Sequence, residues 1–126
     1  MVGPMQSVVK KVEKPWGYEL IFAHTDRYAG KIIHVEPGEA LSLQYHEVKD
    51  ETLYLLSGKY ELTIGTPNNI NVVQVEPGDS YRVTPGTYHR MVAGSSGCDI
   101  LEVSTPELED IVRLDDRYGR VENKDD

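Results

Sequence analysis

The chain has 126 residues, with 21 acidic and 13 basic side chains and a formal charge of −8. Its length and its 39% apolar content suit one compact domain with a single core. The acidic balance excludes a nucleic-acid backbone or an anionic membrane surface as a general partner. The sequence has no long apolar run, no pattern of a secretory signal and no cysteine besides Cys98. We therefore expect a cytoplasmic protein without membrane attachment.

Short apolar or alternating runs, each ended by Gly, Pro, Asn or Asp, predict an all-β domain. Their spacing is typical of a sandwich or a small barrel. The predicted strands are residues 16–22, 28–35, 40–46, 51–57, 59–64, 70–75, 80–83, 88–92 and 98–104. Glu36-Pro37-Gly38 and Glu76-Pro77-Gly78 predict two near-identical turns, and residues 57–59 and 67–69 predict hairpin connections.

The pattern changes after Thr105. Residues 106–114 predict a short helical or irregular segment, with one or two helical turns capped by Thr105 as the helical form, and we expect it to pack across the barrel mouth. Residues 122–126 are polar and charged and predict a frayed end. We therefore predict a single domain over residues 1–126, with a barrel at about 16–104, a packing segment at 105–121 and a frayed tail at 122–126.

Four polar side chains can converge inside such a barrel. Gln44 and His46 are two residues apart on a strand and project from the same face. Glu51 opens the next strand and alternates with residues that we expect to face inward, Leu53, Leu55 and Ser57, while His89 opens a later strand. This mixed nitrogen and oxygen set suits Mn, Fe, Co, Ni or Zn. The alternative interpretation is two hydrogen-bonded histidines at strand ends, with Gln44 and Glu51 facing solvent.

The spacing of these residues resembles a known family. Gly38-x5-Gln44-x-His46-x4-Glu51-x6-Gly58 is similar to the first cupin motif, which usually has His at the place of Gln44, and Gly78 through Pro85-Gly86-x2-His89 is similar to the second. The resemblance implies a double-stranded β-helix, also called a jelly-roll barrel. It also implies that Gln44, His46, Glu51 and His89 hold one divalent metal ion.

Longer segments resemble the cupin domain of type II phosphomannose isomerases, a module often fused to mannose-1-phosphate guanylyltransferase. They include Lys14-Pro15-Trp16-Gly17, Gly86-Thr87-x-His89-Arg90 and the tail from Glu109 to Tyr118-Gly119-Arg120. Gln in place of the first His is itself a feature of that family. The chain departs from the family at Ala40 and Ile32, where a basic residue is common, and at residues 47–50, where a His-rich stretch is common.

The resemblance implies isomerisation of a sugar phosphate, of the mannose 6-phosphate to fructose 6-phosphate type. Glu51 is the candidate for the proton shuttle, and Tyr54 and His34 are weaker candidates. A phosphorylated substrate needs local cations in a protein of charge −8. Lys31, Arg90 and Arg113 are the candidates, although Arg90 directly follows His89 and points to the opposite strand face unless a bulge intervenes.

Two alternatives remain open on the sequence. His46, Glu51 and His89 also make up the two-His-one-carboxylate set of iron-dependent oxygenases of small molecules. A non-catalytic cupin that binds a sugar or another small molecule is favoured by Ala40. Exposed edge strands also lead us to expect a homodimer.

Overall fold

The computed structural model describes residues 3–121, and the strands within that range number nine. They are β1 (Lys10–Lys14), β2 (Gly17–His24), β3 (Ala29–Val35), β4 (Leu43–Tyr45), β5 (Glu51–Thr66), β6 (Asn69–Val75), β7 (Ser80–Val83), β8 (Tyr88–Ser104) and β9 (Val112–Asp115). This range contains no helix long and apolar enough to cross a membrane. The predicted frayed tail at 122–126 lies outside the described residues.

Two long strands, β5 and β8, pair with each other along most of their length and join two sheet faces. On one face, residues 98–104 of β8 pair with β3, which continues to β2 and β1, while the start of β5 pairs with β7. On the other face, the first half of β8 pairs with β4 and the end of β5 pairs with β6. All strand pairs are antiparallel. This arrangement confirms the predicted all-β barrel.

The predicted hairpin at Ser57-Gly58-Lys59 is wrong, because β5 runs through it without leaving the ladder. Register shifts between Leu55 and Ser57 and between Gly58 and Tyr60 bend the strand. A bulge turns side chains relative to the regular alternation. Ser57 is therefore exposed rather than inward-facing, and its hydroxyl donates a 3.1 Å hydrogen bond to Asp99. The predicted strands 88–92 and 98–104 are likewise one strand, β8.

Strand β1 was not predicted, because its sequence is mostly charged and carries no apolar alternation. It forms a five-residue antiparallel ladder with β2, from Lys10 opposite Ile21 to Lys14 opposite Gly17. Main-chain hydrogen bonds hold such an edge strand without a large apolar face. In the predicted strand 40–46, only β4 is regular, with an isolated bridge between Ala40 and Val92.

The C-terminal segment is not helical in the described residues. After turns near residue 108, β9 pairs with β4, and Thr105 accepts a 3.0 Å hydrogen bond from the Asp50 amide instead of capping a helix. The helical form of the prediction is therefore wrong, and the irregular form is confirmed for residues 105–111. The physical reason is that β4 offers an open edge, and the β-branched pair Ile111 and Val112 favours an extended backbone beside it.

The barrel interior changes from apolar to polar along its length. On β5, Glu51, Leu53 and Leu55 alternate inward and all are buried. The apolar part contains fully buried side chains from both faces, including Ile33, Val35, Leu62, Val83 and Ile100. Buried polar side chains gather at the other end, and they include Glu19, Lys31, Ser42, Gln44, His46, Lys49, Glu51, His89 and Glu102. The candidate site therefore lies at the polar end of a closed core.

Two glycines with similar backbone angles should respond differently to a methyl group. Gly58 has φ 80° and Gly38 has φ 74°. A Cβ atom at Gly58 would lie 2.1 Å from the carbonyl oxygen of Gly97, whereas one at Gly38 meets nothing within 4 Å. We expect Gly38→Ala to lower the free energy of unfolding by about 1–2 kcal/mol, from the left-handed conformation alone. Gly58→Ala adds about 1–3 kcal/mol of overpacking. Equal losses in urea unfolding would contradict this account.

Candidate metal centre

Three potential metal ligands meet at the polar end of the barrel. His46 directly follows β4, Glu51 begins β5 and His89 is the second residue of β8. Their ligand atoms all lie within 4.8 Å of one another. Glu51 Oε1 is 3.5 Å from His46 Nε2, and Glu51 Oε2 is 3.4 Å from His89 Nε2. We call these three residues the triad, and none is more than 4% exposed.

The fold brings the triad together because its members come from both sheet faces. Gln44 pairs with His89 on one face, and Glu51 lies on the first half of β5, on the other. Gln44 is also buried, at 5% exposure, and its amide nitrogen lies 3.4 Å from the Ser42 carbonyl oxygen as a donor. The interpretation with Gln44 and Glu51 facing solvent is wrong. Ligation by Gln44 stays a prediction.

Backbone carbonyl groups determine which imidazole nitrogens face Glu51. Nδ1 of His89 donates to the Thr87 carbonyl at 2.9 Å, and Nδ1 of His46 donates to the Asp110 carbonyl. Since a carbonyl can only accept, each Nδ1 carries a hydrogen. Nε2 is therefore the nitrogen of each ring that faces the Glu51 carboxylate, at 3.5 Å for His46 and 3.4 Å for His89. A proton or a metal ion at Nε2 can bridge either ring to the carboxylate.

The ligand set itself supports a metal at this point. Glu51 Oε1 is buried and has the Lys49 ammonium as an ion-pair partner at 3.0 Å. Two imidazole nitrogens oriented by backbone carbonyls, together with one carboxylate, form a set that first-row divalent metals accept. The residues present therefore fit a divalent ion.

A lysine and a second glutamate that sequence reasoning missed extend the centre. Lys49 Nζ lies 3.2 Å from Glu102 Oε2 as well as beside Glu51, and both residues are 3% exposed. Lys49 belongs to a charged stretch that resembles an exposed loop, so the sequence carries little signal for it. Glu102 had a signal, because it shares the period-two face of β8 with the buried residues Cys98 and Ile100.

These contacts shift the ionisation of all three groups. Burial opposes the charged form of Glu51, but His46, His89 and the charge of Lys49 outweigh it and hold the pKa of Glu51 well below its usual range. Burial also opposes the charged form of Lys49, yet Glu102 and Glu51 raise its pKa to about 12. Burial and the negative charge of Glu51 raise the pKa of Glu102 against the opposing charges of Lys31 and Lys49.

Asp110, also missed, attaches the C-terminal segment to the turn before β5. Its carboxylate accepts hydrogen bonds from the backbone amides of Glu47, Val48 and Lys49 at 3.0, 2.7 and 2.8 Å. Although burial opposes it, these bonds lower the pKa of Asp110. One residue thus orients the His46 ring through its carbonyl and holds the loop that carries Lys49.

The structure separates the three cations that were predicted to bind substrate. Lys31 is buried and pairs with Glu19 Oε2 at 3.0 Å. Arg113 lies opposite Gln44 in the β4–β9 ladder and lines a small cavity beside it. Arg90 instead donates to the Leu41 carbonyl at 3.2 Å and to Asp115. Arg90 therefore lies on the opposite face, as its position after His89 predicted, and the fold does not bring it to the other two.

The two weaker shuttle candidates lie outside the barrel. Tyr54 is 42% exposed on the outer face of β5. His34 binds Asp99 Oδ1 through Nδ1 at 2.7 Å and lies 3.2 Å from Glu36. The Asp99 hydrogen bond, opposed by partial burial, raises the pKa of His34. Neither group reaches the triad, because alternation along each strand directs it away from the interior.

Two cavities adjoin this end of the barrel. The larger has a volume of about 1030 Å³ and lies between strands β1 and β2 and residues 106–110. The smaller, about 40 Å³, is lined by Lys14, Glu19, Ser42, Gln44, Arg113 and Arg120, among others. We call this smaller cavity the niche. Lys14 and Glu19 line both cavities, so the two are neighbours.

Comparison with known proteins gives this fold and site a family. Residues 31–104 match the family described as Cupin domain. The chain belongs to the cupin family. The match contains both cupin-like motifs from Gln44 to His89, and it confirms the jelly-roll barrel that the resemblance implied.

Among its relatives, this cupin is 37% identical over 117 residues to mannose-1-phosphate guanylyltransferase ManC of Salmonella typhimurium. It is 36% identical over 119 residues to mannose-1-phosphate guanylyltransferase of Escherichia coli K12. These alignments cover 89% and 90% of the chain but only 23% and 24% of the relatives. The chain is therefore homologous to the cupin region of these enzymes and spans about a quarter of their length.

Solved structures support the same fold. Oxalate decarboxylase from Bacillus subtilis superposes with a TM-score of 0.75 at 19% identity, over 84% of this chain and 30% of the enzyme chain. At such low identity the likeness concerns the barrel alone.

Proposed function

We propose that this cupin is a metal-dependent isomerase of a sugar phosphate, of the mannose 6-phosphate to fructose 6-phosphate type. The observation that carries the proposal is the buried triad, in which a carboxylate faces two imidazole nitrogens whose rings are oriented by backbone carbonyls. Homology to the cupin region of enzymes named for a mannose phosphate supports the substrate class. Aldose to ketose conversion requires a proton to move between neighbouring carbons while negative charge develops on oxygen.

His46, Glu51 and His89, with Gln44 as a proposed fourth ligand, would hold the metal. When bound, a divalent ion supplies Lewis-acid polarisation of a carbonyl group and its neighbouring hydroxyl. The protein keeps the imidazoles in one orientation through Thr87 and Asp110 and keeps the triad almost dry. Glu51 stays the proposed catalytic carboxylate.

The charged interior also determines where a phosphate can bind. Glu19, Glu51 and Glu102 face Lys31 and Lys49, so these five buried side chains carry one negative charge in excess when all are ionised. That excess favours a cation at the triad and repels a phosphate from it. Because Lys31 is paired with Glu19, we place the phosphate nearer Arg113 than Lys31.

One observation favours the non-catalytic alternative. The Lys49 ammonium, 3.0 Å from Glu51 Oε1, is a built-in cation beside the carboxylate that would bind the metal. A cupin that uses Lys49 in this way needs no ion for stability and binds a small molecule without turning it over. The iron-dependent oxygenase remains an outcome of the test below.

The decisive experiment is reconstitution of the metal-free protein with Mn, Zn, Fe, Co or Ni, one at a time. We expect interconversion of mannose 6-phosphate and fructose 6-phosphate with at least one ion and none with chelator, measured by NMR of the sugar signals. Absence of turnover with all five ions would overturn the isomerase. Oxygen consumption with ferrous iron would identify an oxygenase, and saturable sugar binding without turnover would identify a binding protein.

A further inference from the structure

The niche beside Gln44 has a local charge opposite to that of the whole protein. Three cations, Lys14, Arg113 and Arg120, line it, against one carboxylate, Glu19. The protein as a whole carries a formal charge of −8. A positive recess on an acidic protein concentrates anions locally, because the surrounding charge repels them elsewhere.

The carboxylates near the niche already have cationic partners. Glu19 is bound by Lys31 at 3.0 Å. Asp116 is bound by Arg120 through two hydrogen bonds of 2.9 and 3.0 Å. Both acids thus have other partners, and the side chain of Lys14 makes no hydrogen bond or ion pair with any residue of the described range 3–121.

More positive than negative side chains act on the charge of Lys14. Burial lowers its pKa, the carboxylate of Glu19 opposes this, and the charges of Lys31, Arg113 and Arg120 lower it further. A bound anion would relieve this repulsion. The residues that line the niche and the lowered pKa of Lys14 therefore both favour a bound anion.

An independent observation points to a ligand in the niche. Ser42 lines it and is only 1% exposed, and its buried hydroxyl makes no hydrogen bond with any residue that the structure describes. A buried hydroxyl without a partner is costly unless a ligand or water completes it. Phosphate oxygens accept hydrogen bonds from hydroxyl groups and from cationic side chains, and the niche offers one hydroxyl and three cations.

The size of the niche limits what enters it. A water molecule needs about 10–15 Å³, so the niche of about 40 Å³ admits a small group and not a sugar ring. The adjoining cavity of about 1030 Å³ shares Lys14 and Glu19 with the niche and has room for a hexose. A ligand that spans both spaces carries a compact anion on a larger polar body.

We propose that the niche binds the phosphate group of the substrate through Lys14, Ser42, Arg113 and Arg120. The inference rests on the proposed function for the identity of the attached sugar. It replaces Lys31 and Arg90 as phosphate-binding residues and retains Arg113. It also adds three residues, Lys14, Ser42 and Arg120, to the predicted set.

The experiment measures binding of inorganic phosphate to the metal-free protein by isothermal titration calorimetry at low ionic strength. We expect Lys14→Met to weaken binding at least tenfold and Ser42→Ala to weaken it severalfold. Lys11→Met is the matched control, because Lys11 lies on the same strand but contacts Glu13 and the Tyr18 ring on the other face. It should leave the affinity unchanged, and urea unfolding checks that every variant folds.

The outcomes separate this inference from the proposed function. In the metal-loaded protein, Lys14→Met should raise KM for the hexose phosphate about tenfold with little change in kcat. Equal phosphate binding by Lys14→Met and Lys11→Met, or an unchanged KM, overturns the niche and leaves the isomerase intact. Phosphate binding that needs Lys14 and Ser42, without turnover in any metal-loaded sample, supports the niche and overturns the isomerase alone.

Discussion

The His46→Ala protein is expected to lose both retention of a divalent metal and isomerase turnover. Removal of the imidazole takes away one of three side chains whose ligand atoms lie within 4.8 Å of one another, and Glu51 then faces a single histidine. Loss of a group that merely orients a ligand already costs about 10–100-fold in metal affinity, so loss of the ligand itself should cost at least as much. Metal analysis after gel filtration should fall from about one ion per chain to background.

His34→Ala is the control for this experiment. It removes the same side-chain type from the outer face, where His34 contacts Asp99 and Glu36 and not the triad. It should retain the metal and the turnover of the unmodified protein. If His46→Ala and His34→Ala keep the same metal content, the triad is not the metal centre.

The Lys49→Met protein is expected to show the largest loss of stability, about 3–5 kcal/mol in the metal-free state at neutral pH. Lys49 lies 3.0 Å from Glu51 and 3.2 Å from Glu102, and all three are almost fully buried. Without the ammonium, two buried carboxyl groups lose the cation that they share. Urea unfolding measures the difference.

Three comparisons test the electrostatic origin of that loss. Lys59→Met removes an exposed partner of Glu76 and should change stability by less than about 1 kcal/mol. Lys49→Met combined with Glu102→Gln should recover part of the loss, because the double variant leaves only the Glu51 carboxylate without its lysine. A divalent ion should also recover part, since it supplies positive charge to Glu51. A loss no greater than that of Lys59→Met would refute the buried charge network.

The polar end of the barrel has a region of mainly acidic side chains around the triad and a region of mainly basic side chains at the niche. Around the triad, two buried acids, Glu51 and Glu102, share one lysine, Lys49. In the niche, three cations outnumber Glu19, which is paired with Lys31, although Arg120 is itself paired with Asp116. Gln44, a neutral amide, lines the niche and pairs with His89 of the triad, so it lies between the two regions. A metal ion and a phosphate group can therefore be attracted to adjacent places without competing for the same side chains.

The sequence by itself determined the all-β class, most strand positions and the members of the triad. Alternation is a local property, so Glu51, Leu53 and Leu55 could be placed on one inner face without the fold. The resemblance to the cupin motifs then implied that Gln44, His46, Glu51 and His89 lie together. Local patterns failed where backbone pairing decides structure, at the charged edge strand β1 and at β9, whose partner β4 lies far away in the chain.

Only the tertiary structure decided which charges surround the site. Lys49 lies in a charged stretch that resembles an exposed loop, yet it is buried beside Glu51. Asp110 lies in the segment for which helical turns were predicted, yet its carboxylate holds the turn that carries Lys49. Lys14 and Ser42 become neighbours of Arg113 because β1 and β9 close over the same end of the barrel. The physical reason is that burial and Coulomb interactions depend on distance in space, and residues remote in sequence become close only when the sheets close.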